Sequence, residues 1–419
     1  MTWSPPGAPG GWPVLAQGLP PPKFDRGRGR NLLIIAVAAV AVLGVAVVIG
    51  VVAFVTESAE GSALTLVLAA VPMPILVGAY LWLDRYEPEP MRFLVSALVW
   101  GAVVSVLIAG FLEFAAGAWL DASTEVLAVG VAPGVEEGAK GLFLLLILVR
   151  RRAVVGGILD GIIYAGLVGV GFAFTENVLY YAGAYGGSLD PALQGAPGAT
   201  GVFIVRGLFS PFAHPLFTSA TGIGIALGVV ATRRWVRWAA PVFGFAVAVG
   251  LHTAWNGTAM LADDDELPKE FLLTYLLAML PLLGAGIALA GWARAREGRV
   301  LSRSLADAAR RGWLHPAEIH WLVRLGDRGA ARRFAEQVAG SQAAIALRAY
   351  QEAATQMALM HDRVLRGTAP PDGVHQVLAH LRRMRSWRPF VVLPPITWSS
   401  SAGDQQTGCA TPAEPATPD

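Results

Sequence analysis

The sequence predicts an all-α protein, a polytopic membrane helix bundle of about eight spans followed by a small helical cytoplasmic C-terminal region. Hydrophobic residues make up 54% of the 419 residues and charged residues only 15%, whereas roughly a quarter of a typical soluble domain is charged. The apolar residues are gathered into long runs, and many of the charges follow residue 292.

Eight runs reach the length of about 20 apolar residues that crosses a bilayer as a helix. They cover residues 32–55, 63–83, 93–119, 127–149, 158–182, 210–231, 239–261 and 271–292. The first run is about twice as long as the hydrophobic part of a signal peptide. We therefore interpret it as an uncleaved anchor.

Every second loop between these runs is basic. Lysine and arginine precede the first run and follow the second, fourth, sixth and eighth, whereas the other loops carry almost no positive charge. Loops rich in lysine and arginine stay in the cytoplasm. The alternation therefore predicts a multi-pass protein of the cell membrane with both termini in the cytoplasm.

The chain divides into four predicted parts. Residues 1–30 are rich in proline and glycine and predict a disordered cytoplasmic arm, and residues 31–292 form the membrane bundle. Residues 293–391 carry apolar residues at helical spacing, and the Ser/Thr/Pro-rich residues 392–419 predict a disordered tail. The net charge of +2 gives no indication of a nucleic-acid partner. The single cysteine, Cys409, excludes an internal disulfide.

Ionisable residues inside the predicted spans are few, and such residues are costly in a bilayer and point to function. The stretch PGVEEGAK places Glu136, Glu137 and Lys140 on one helix face, and FAFTEN carries Glu176. Two adjacent carboxylates cannot easily both ionise in a low dielectric, and a lysine beside them can keep one charged. The alternative is a salt-bridged patch that only orders the bundle, but three charges are expensive for that role.

Two histidines lie in the predicted membrane region. His214 in SPFAHPLF follows Pro211, a residue suited to the first turn of a helix. His252 in LHTAWN shares its helix face with Asn256, four residues later. Each histidine alone is typical of a structural residue, but the two acidic motifs favour a shared site. Arg206, before Pro211, is interpreted as an interface anchor, and a role in the site is the minor alternative.

The depth of these groups in the membrane supports one site. Glu136, Glu176, His214 and His252 lie 14 to 19 residues from a charged residue at the cytoplasmic end of their span. At about 1.5 Å per residue, each of the four residues lies about 21 to 28 Å along its helix from the cytoplasmic end of the span. Four groups from four spans are therefore predicted to fall in one layer.

The motifs EEGAK, DGIIYAGLVGVGFAFTEN, FAHPLFT and LHTAWN, in this order on successive apolar runs, resemble the PrsW family of intramembrane proteases. LDRYEPEP after the second run is also similar to a loop of that family, and the resemblance covers residues of about 75 to 260. PrsW is similar to the wider superfamily of CAAX prenyl proteases and bacteriocin-processing proteins. Those typically carry arginine in place of Lys140 and often histidine in place of Glu176, so their mechanism is not carried over whole.

The resemblance implies hydrolysis of a peptide bond, within or beside the membrane, in a membrane-bound protein. The characterised member of the family begins the degradation of a membrane-bound anti-sigma factor, which makes an anti-sigma factor a candidate substrate here. The family has been described both as metalloproteases and as glutamate proteases, so the use of a metal stays open.

Hydrolysis needs a general base for water and a means to stabilise the oxyanion. Glu136 is the predicted base, tuned by Glu137 and Lys140. The two histidines are predicted to position the water or polarise the carbonyl, and Asn256 to donate to the oxyanion. The predicted catalytic set is Glu136, Glu137, Lys140, Glu176, His214, His252 and Asn256.

Glu176 has two predicted roles. It orients a histidine, or it joins His214 and His252 as the third ligand of a zinc ion, a composition known from catalytic zinc sites with room for water.

Two other classes of function compete with the peptidase. A transporter also uses intramembrane carboxylates and histidines to relay protons or metal ions, but no repeated half with matching broken helices is evident. A membrane scaffold would use the C-terminal helices for docking.

Overall fold

The computed structural model describes residues 42, 44–120, 122–150, 155–188, 191–260 and 269–395. These residues form helices and no β-strand, which confirms the predicted all-α class. The predicted arm at residues 1–30 lies outside the described residues, as does most of the predicted tail.

The helices are named in chain order. They are α1 (Gly44–Thr56), α2 (Ala59–Ala70), α3 (Met73–Leu83), α4 (Met91–Leu120), α5 (Ala132–Arg150), α6 (Ile158–Tyr185), α7 (Ala196–Phe203), α8 (Ala213–Val230), α9 (Arg234–Met260), α10 (Leu272–Arg310), α11 (Leu325–Leu365) and α12 (Gly373–Trp387). Single π-helical turns interrupt or precede several of them, at Trp100–Ser105, Leu127–Val131, Ile204–Phe209 and Tyr275–Met279.

Six helical segments in the described part of the chain are long and apolar enough to cross a membrane. They are the α2–α3 pair, α4, α6, α7 with α8, α9 and α10. The remaining two predicted spans correspond to α5, which carries four ionisable residues among its 19, and to α1, which contains most of the described part of the run at 32–55. The structure is a polytopic helix bundle, and the count of eight spans stays a prediction.

The segment before His214 differs from the sequence-based expectation. The predicted span begins at residue 210, but a helix already begins at Ala196 and continues through the π-helical turn Ile204–Phe209. The chain then leaves helical geometry at Ser210, with φ −125° and ψ 33°, before α8 starts at Ala213. This break places His214 in the first turn of a new helix.

Helix α6 lies at the centre of the bundle, and 83% of its most apolar stretch is buried. Glycines let the neighbouring backbone come close. A Cβ at Gly161 would lie 2.3 Å from the Gly222 carbonyl oxygen of α8, and one at Gly169 would lie 2.7 Å from the Pro215 Cα. Because these approaches exclude any side chain, the glycines of α6 hold the His214 end of α8 against the bundle centre.

The C-terminal helical unit, residues 301–393, has its own core, built around Leu301, Leu305, Trp321, Leu347 and Met357. The predicted boundary at residues 292 and 293 falls inside α10, which runs unbroken into this core. Arg328 of the unit donates to the Tyr86 carbonyl, at 3.2 Å, in the loop between α3 and α4. A cavity of about 290 Å³ lies at the same junction.

Candidate active site

The acidic motif of α5 forms a buried ion cluster. Lys140 Nζ donates to Glu136 Oε2 at 3.1 Å and to Glu137 Oε1 at 2.9 Å. The Lys140 and Glu137 side chains have no exposed surface. The Phe172 ring of α6 covers the ammonium at 3.8 Å from its centroid. One buried cation is thus shared by two carboxylates, which compensates part of their desolvation.

Helix α5 is fixed in this position by α4. The indole Nε1 of Trp100 and the Ser105 hydroxyl both donate to the Ala139 carbonyl oxygen, at 3.0 and 3.3 Å. Both donors belong to the π-helical turn Trp100–Ser105. A carbonyl within a helix can accept such additional bonds because it has two lone pairs. These two contacts fix the rotation of α5, and with it the helix face that carries Glu136 and Lys140.

Glu137 orients His252 of α9. Its Oε1 lies 3.2 Å from Nδ1 of His252, and its Oε2 accepts a 2.9 Å hydrogen bond from the Thr218 hydroxyl of α8. A carboxylate only accepts hydrogen bonds, so Nδ1 of a neutral His252 ring carries the proton. The lone pair of Nε2 is then directed away from Glu137.

Glu176 orients His214 in the same way. Its Oε2 lies 2.5 Å from Nε2 of His214, so that nitrogen carries the proton in the neutral ring. Nδ1 of His214 points to the other side and lies 3.0 Å from Lys140 Nζ. The two imidazoles meet edge to face, with centroids 5.0 Å apart.

Glu136 lies where the two ring nitrogens that face away from Glu137 and Glu176 converge. Its Oε2 is 3.8 Å from Nε2 of His252 and 4.0 Å from Nδ1 of His214. Among the described residues, only Lys140 donates a side-chain hydrogen bond to Glu136. A carboxylate and two imidazoles therefore face one point, and a different acid orients each ring.

This group has the composition of a metal site. Glu136, His214 and His252 are buried, and one ligand atom from each lies within 4.8 Å of the others. Two imidazole nitrogens and a carboxylate oxygen suit a divalent ion such as zinc, and histidine ligands normally donate their second nitrogen to a carboxylate. The group differs from the predicted set of Glu176, His214 and His252, because Glu176 contacts the far nitrogen of His214.

Asn256 is placed differently from the other predicted site residues. Its amide Nδ2 donates to the Ala128 carbonyl at 2.9 Å, in the π-helical turn before α5. Thr253 of α9 donates to the neighbouring Val129 carbonyl at 3.2 Å. The donor predicted for the oxyanion is thus engaged in holding that turn against α9.

Arg206, for which a site role is only the minor alternative from the sequence, contacts the predicted site residue Glu176. Its Nη2 lies 2.5 Å from Glu176 Oε2, and its Nε donates to Asn177 Oδ1 at 2.8 Å. The side chain is 22% exposed and the Glu176 side chain 17%. Arg206 therefore extends the site through Glu176 and is not an isolated interface anchor.

A comparison of the sequence with known protein families finds a match over the residues that form this site. The sequence profile of the PrsW family intramembrane metalloproteases matches residues 89–285. This range contains the acid cluster, both histidines and Arg206. Over these residues the chain is similar to the PrsW family.

Two curated proteins similar to this chain are both named Protease PrsW. The PrsW of Clostridioides difficile (strain 630) is 35% identical over 161 residues, which are 37% of this chain and 62% of that protein. The PrsW of Geobacillus kaustophilus (strain HTA426) is 28% identical over 184 residues, 43% of this chain and 75% of that protein. The chain thus covers less than two thirds of the first relative. No solved structure matches the chain significantly.

Proposed function

We propose that this protein is an intramembrane peptidase of the PrsW family, which hydrolyses a peptide bond of a membrane-bound protein with water activated at Glu136. The observation that carries the proposal is the convergence on Glu136 Oε2 of two imidazole nitrogens, at 3.8 and 4.0 Å. Glu137 and Glu176 orient these two rings. A merely structural polar patch does not need two separately oriented imidazoles.

The residues divide the work of hydrolysis between them. Glu136 accepts a proton from water as the oxygen attacks the carbonyl carbon, and it returns that proton to the amine leaving group. Lys140 donates to both Glu136 and Glu137, which compensates part of the cost of burying the two carboxylates. The two imidazoles hold the water and the scissile carbonyl beside Glu136. Asn256 acts by holding the turn before α5.

Zinc is the ion that the group Glu136, His214 and His252 suits best. When bound, it polarises a carbonyl and lowers the pKa of a bound water. The Lys140 ammonium also lies 3.0 Å from Nδ1 of His214, so a cation and this lysine compete for the same lone pair. Glu136 is thus suited both to a zinc-dependent and to a glutamate-type peptidase, and the effect of a chelator distinguishes the two.

The proposed substrate is a protein with a transmembrane segment, and membrane-anchored anti-sigma factors are the first candidates because of the resemblance described above. Both termini of the enzyme are proposed to lie in the cytoplasm, on the basis of the alternation of basic loops. The C-terminal helical unit then lies at the cytoplasmic face.

The test uses purified full-length protein in liposomes with candidate single-span proteins. The wild type should cleave at least one of them, and mass spectrometry should locate the cut. The His252→Ala variant should lose the activity, whereas His375→Ala, an exposed histidine of α12, should keep it. Equal cleavage by both variants would contradict the proposal.

The transporter alternative has its own prediction. An ion flux in liposomes that depends on Glu136, together with no cleavage of any candidate protein, would favour it. The matched family and both reported relatives are named as proteases, which gives the transporter no support.

A further inference from the structure

Arg206 holds two consecutive residues of α6 with one planar group. Its Nη2 contacts Glu176 Oε2 at 2.5 Å, and its Nε donates to Asn177 Oδ1 at 2.8 Å. The guanidinium also stacks over the ring of Tyr180, one turn further along α6, at 4.0 Å from the centroid. A guanidinium can make these three contacts at once because its donors form a rigid planar fork; a lysine ammonium cannot.

The same carboxylate oxygen serves Arg206 and His214. Glu176 Oε2 lies 2.5 Å from Arg206 Nη2 and 2.5 Å from His214 Nε2. A carboxylate at this depth is costly without a partner, and the guanidinium provides one. The oxygen that accepts a hydrogen bond from Arg206 also accepts one from Nε2 of His214, which directs Nδ1 of His214 to the centre of the site.

The backbone around Arg206 is also unusual. The residue lies in the π-helical turn Ile204–Phe209, directly before the break at Ser210 that starts α8. Such turns occur frequently at functional sites. Arg206 and His214 both line a small cavity of about 10 Å³, which is roughly the volume that one water needs.

We propose that Arg206 is a positioning residue of the active site: it holds the Glu176 carboxylate aimed at Nε2 of His214, and thereby fixes the ring form in which Nδ1 faces Glu136. The inference rests on the proposed peptidase function for its effect on catalysis. Its effect on the His214 ring does not depend on that function. Arg206 also ties α7 to α6, and a purely structural tie would change stability without changing the ring form.

The ring form is measured by solid-state NMR of the full-length protein in lipid bilayers, with ¹⁵N-labelled histidine, after dialysis against a chelator to remove any bound metal. The protein has seven histidines, and the His214→Ala variant assigns the His214 signals. The wild type should show His214 protonated at Nε2 alone. In Arg206→Gln the signals should indicate a mixture of both ring forms, while Arg206→Lys should restore part of the wild-type pattern. An unchanged His214 spectrum in Arg206→Gln would overturn the inference, whether or not the protein cleaves a substrate.

Cleavage kinetics give the second measurement. Loss of an outer partner of this kind typically costs about 10 to 100-fold in activity, so kcat of Arg206→Gln should fall by that factor with little change in KM. The matched control is Arg92→Gln, because Arg92 is exposed on α4 and also lies over an aromatic ring. Because Arg206 acts through Glu176, the double variant that combines Arg206→Gln and Glu176→Gln should cleave no more slowly than Glu176→Gln alone. Multiplied losses in the double variant would overturn the inference.

Discussion

Glu137 and His252, which lie 115 residues apart in the sequence, meet through a 3.2 Å contact between Oε1 and Nδ1. The contact turns Nε2 of His252 towards Glu136 Oε2, 3.8 Å away. Glu176 does the same for His214 from another helix. The three acids therefore have different roles. Glu137 and Glu176 each orient one imidazole, and Glu136 faces the other nitrogen of both rings.

Thr218 supports this division of roles. Its hydroxyl is fully buried and donates to Glu137 Oε2 at 2.9 Å. The nearly isosteric Thr218→Val removes the donor and leaves a buried charged acceptor unpaired, which should lower the free energy of unfolding by about 1–3 kcal/mol. Chemical denaturation of the detergent-solubilised protein measures the effect. Thr200→Val, an exposed position on α7, is the control, and an equal loss in both variants would contradict the assigned contact.

The close approach of α6 and α8 gives a packing prediction. A Cβ at Gly161 would lie 2.3 Å from the Gly222 carbonyl oxygen, so Gly161→Ala should force the helices apart and cost about 1–3 kcal/mol. The thermal unfolding midpoint should fall, and activity should fall with it because α8 carries His214. Gly291→Ala is the matched control, since no atom lies within 4 Å of its added Cβ. A midpoint that falls no further in Gly161→Ala than in Gly291→Ala would contradict the close packing.

The loop between α3 and α4 predicts a pH dependence of stability. Burial, reinforced by the Asp160 carboxylate, raises the pKa of Glu87 from 4.5 to about 8 and that of Glu89 to about 9. A carboxyl with a higher pKa in the folded state stabilises the fold when it is protonated. This contribution is therefore complete below about pH 4.5 and is lost as the pH rises towards 8 and 9.

The test is the thermal unfolding midpoint between pH 6 and pH 9. The midpoint of the wild type should fall over this range, and Glu87→Gln should flatten the dependence because the amide does not titrate. Glu60→Gln, an exposed acid on α2, should keep the wild-type slope. A slope that is the same in Glu87→Gln and in Glu60→Gln would contradict the prediction.

Metal content separates the two candidate ligand sets. If Glu136, His214 and His252 are the ligands, the purified wild type should hold one zinc per chain and Glu136→Gln should lose it. Glu176→Gln should weaken zinc binding by only about 10 to 100-fold, as an outer partner does. Metal analysis after dialysis against graded zinc buffers measures both. Full zinc in Glu136→Gln, with none in Glu176→Gln, would restore the set predicted from the sequence.

Much of this arrangement follows from the sequence. Apolar runs predict the bundle, and the distances of Glu136 and His252 from the basic loops predict a common depth. Depth alone cannot say which nitrogen of a ring faces which acid, because that depends on helix rotation. For this reason Glu176 and Glu136 exchange places in the metal-capable group.

Arg206 was beyond the reach of the same reasoning. The helix from Ala196 begins in a stretch rich in glycine and proline that predicts a loop. The π-helical turn that follows departs from the regular spacing of 3.6 residues per turn, so a pattern of helix faces cannot be continued through it to Arg206. The polar contact of Asn256 with Ala128 is equally invisible, because it joins residues 128 positions apart.

The most direct test of the central claim is the rate of peptide-bond cleavage by Glu136→Gln in liposomes, followed by mass spectrometry under single-turnover conditions. The amide keeps the shape of Glu136 but cannot accept the proton of water, so the rate should fall by about 10² to 10⁴-fold relative to the wild type. Glu125→Gln, an exposed acid ahead of the same helix, should retain the wild-type rate. Cleavage by Glu136→Gln at the rate of Glu125→Gln would contradict the account.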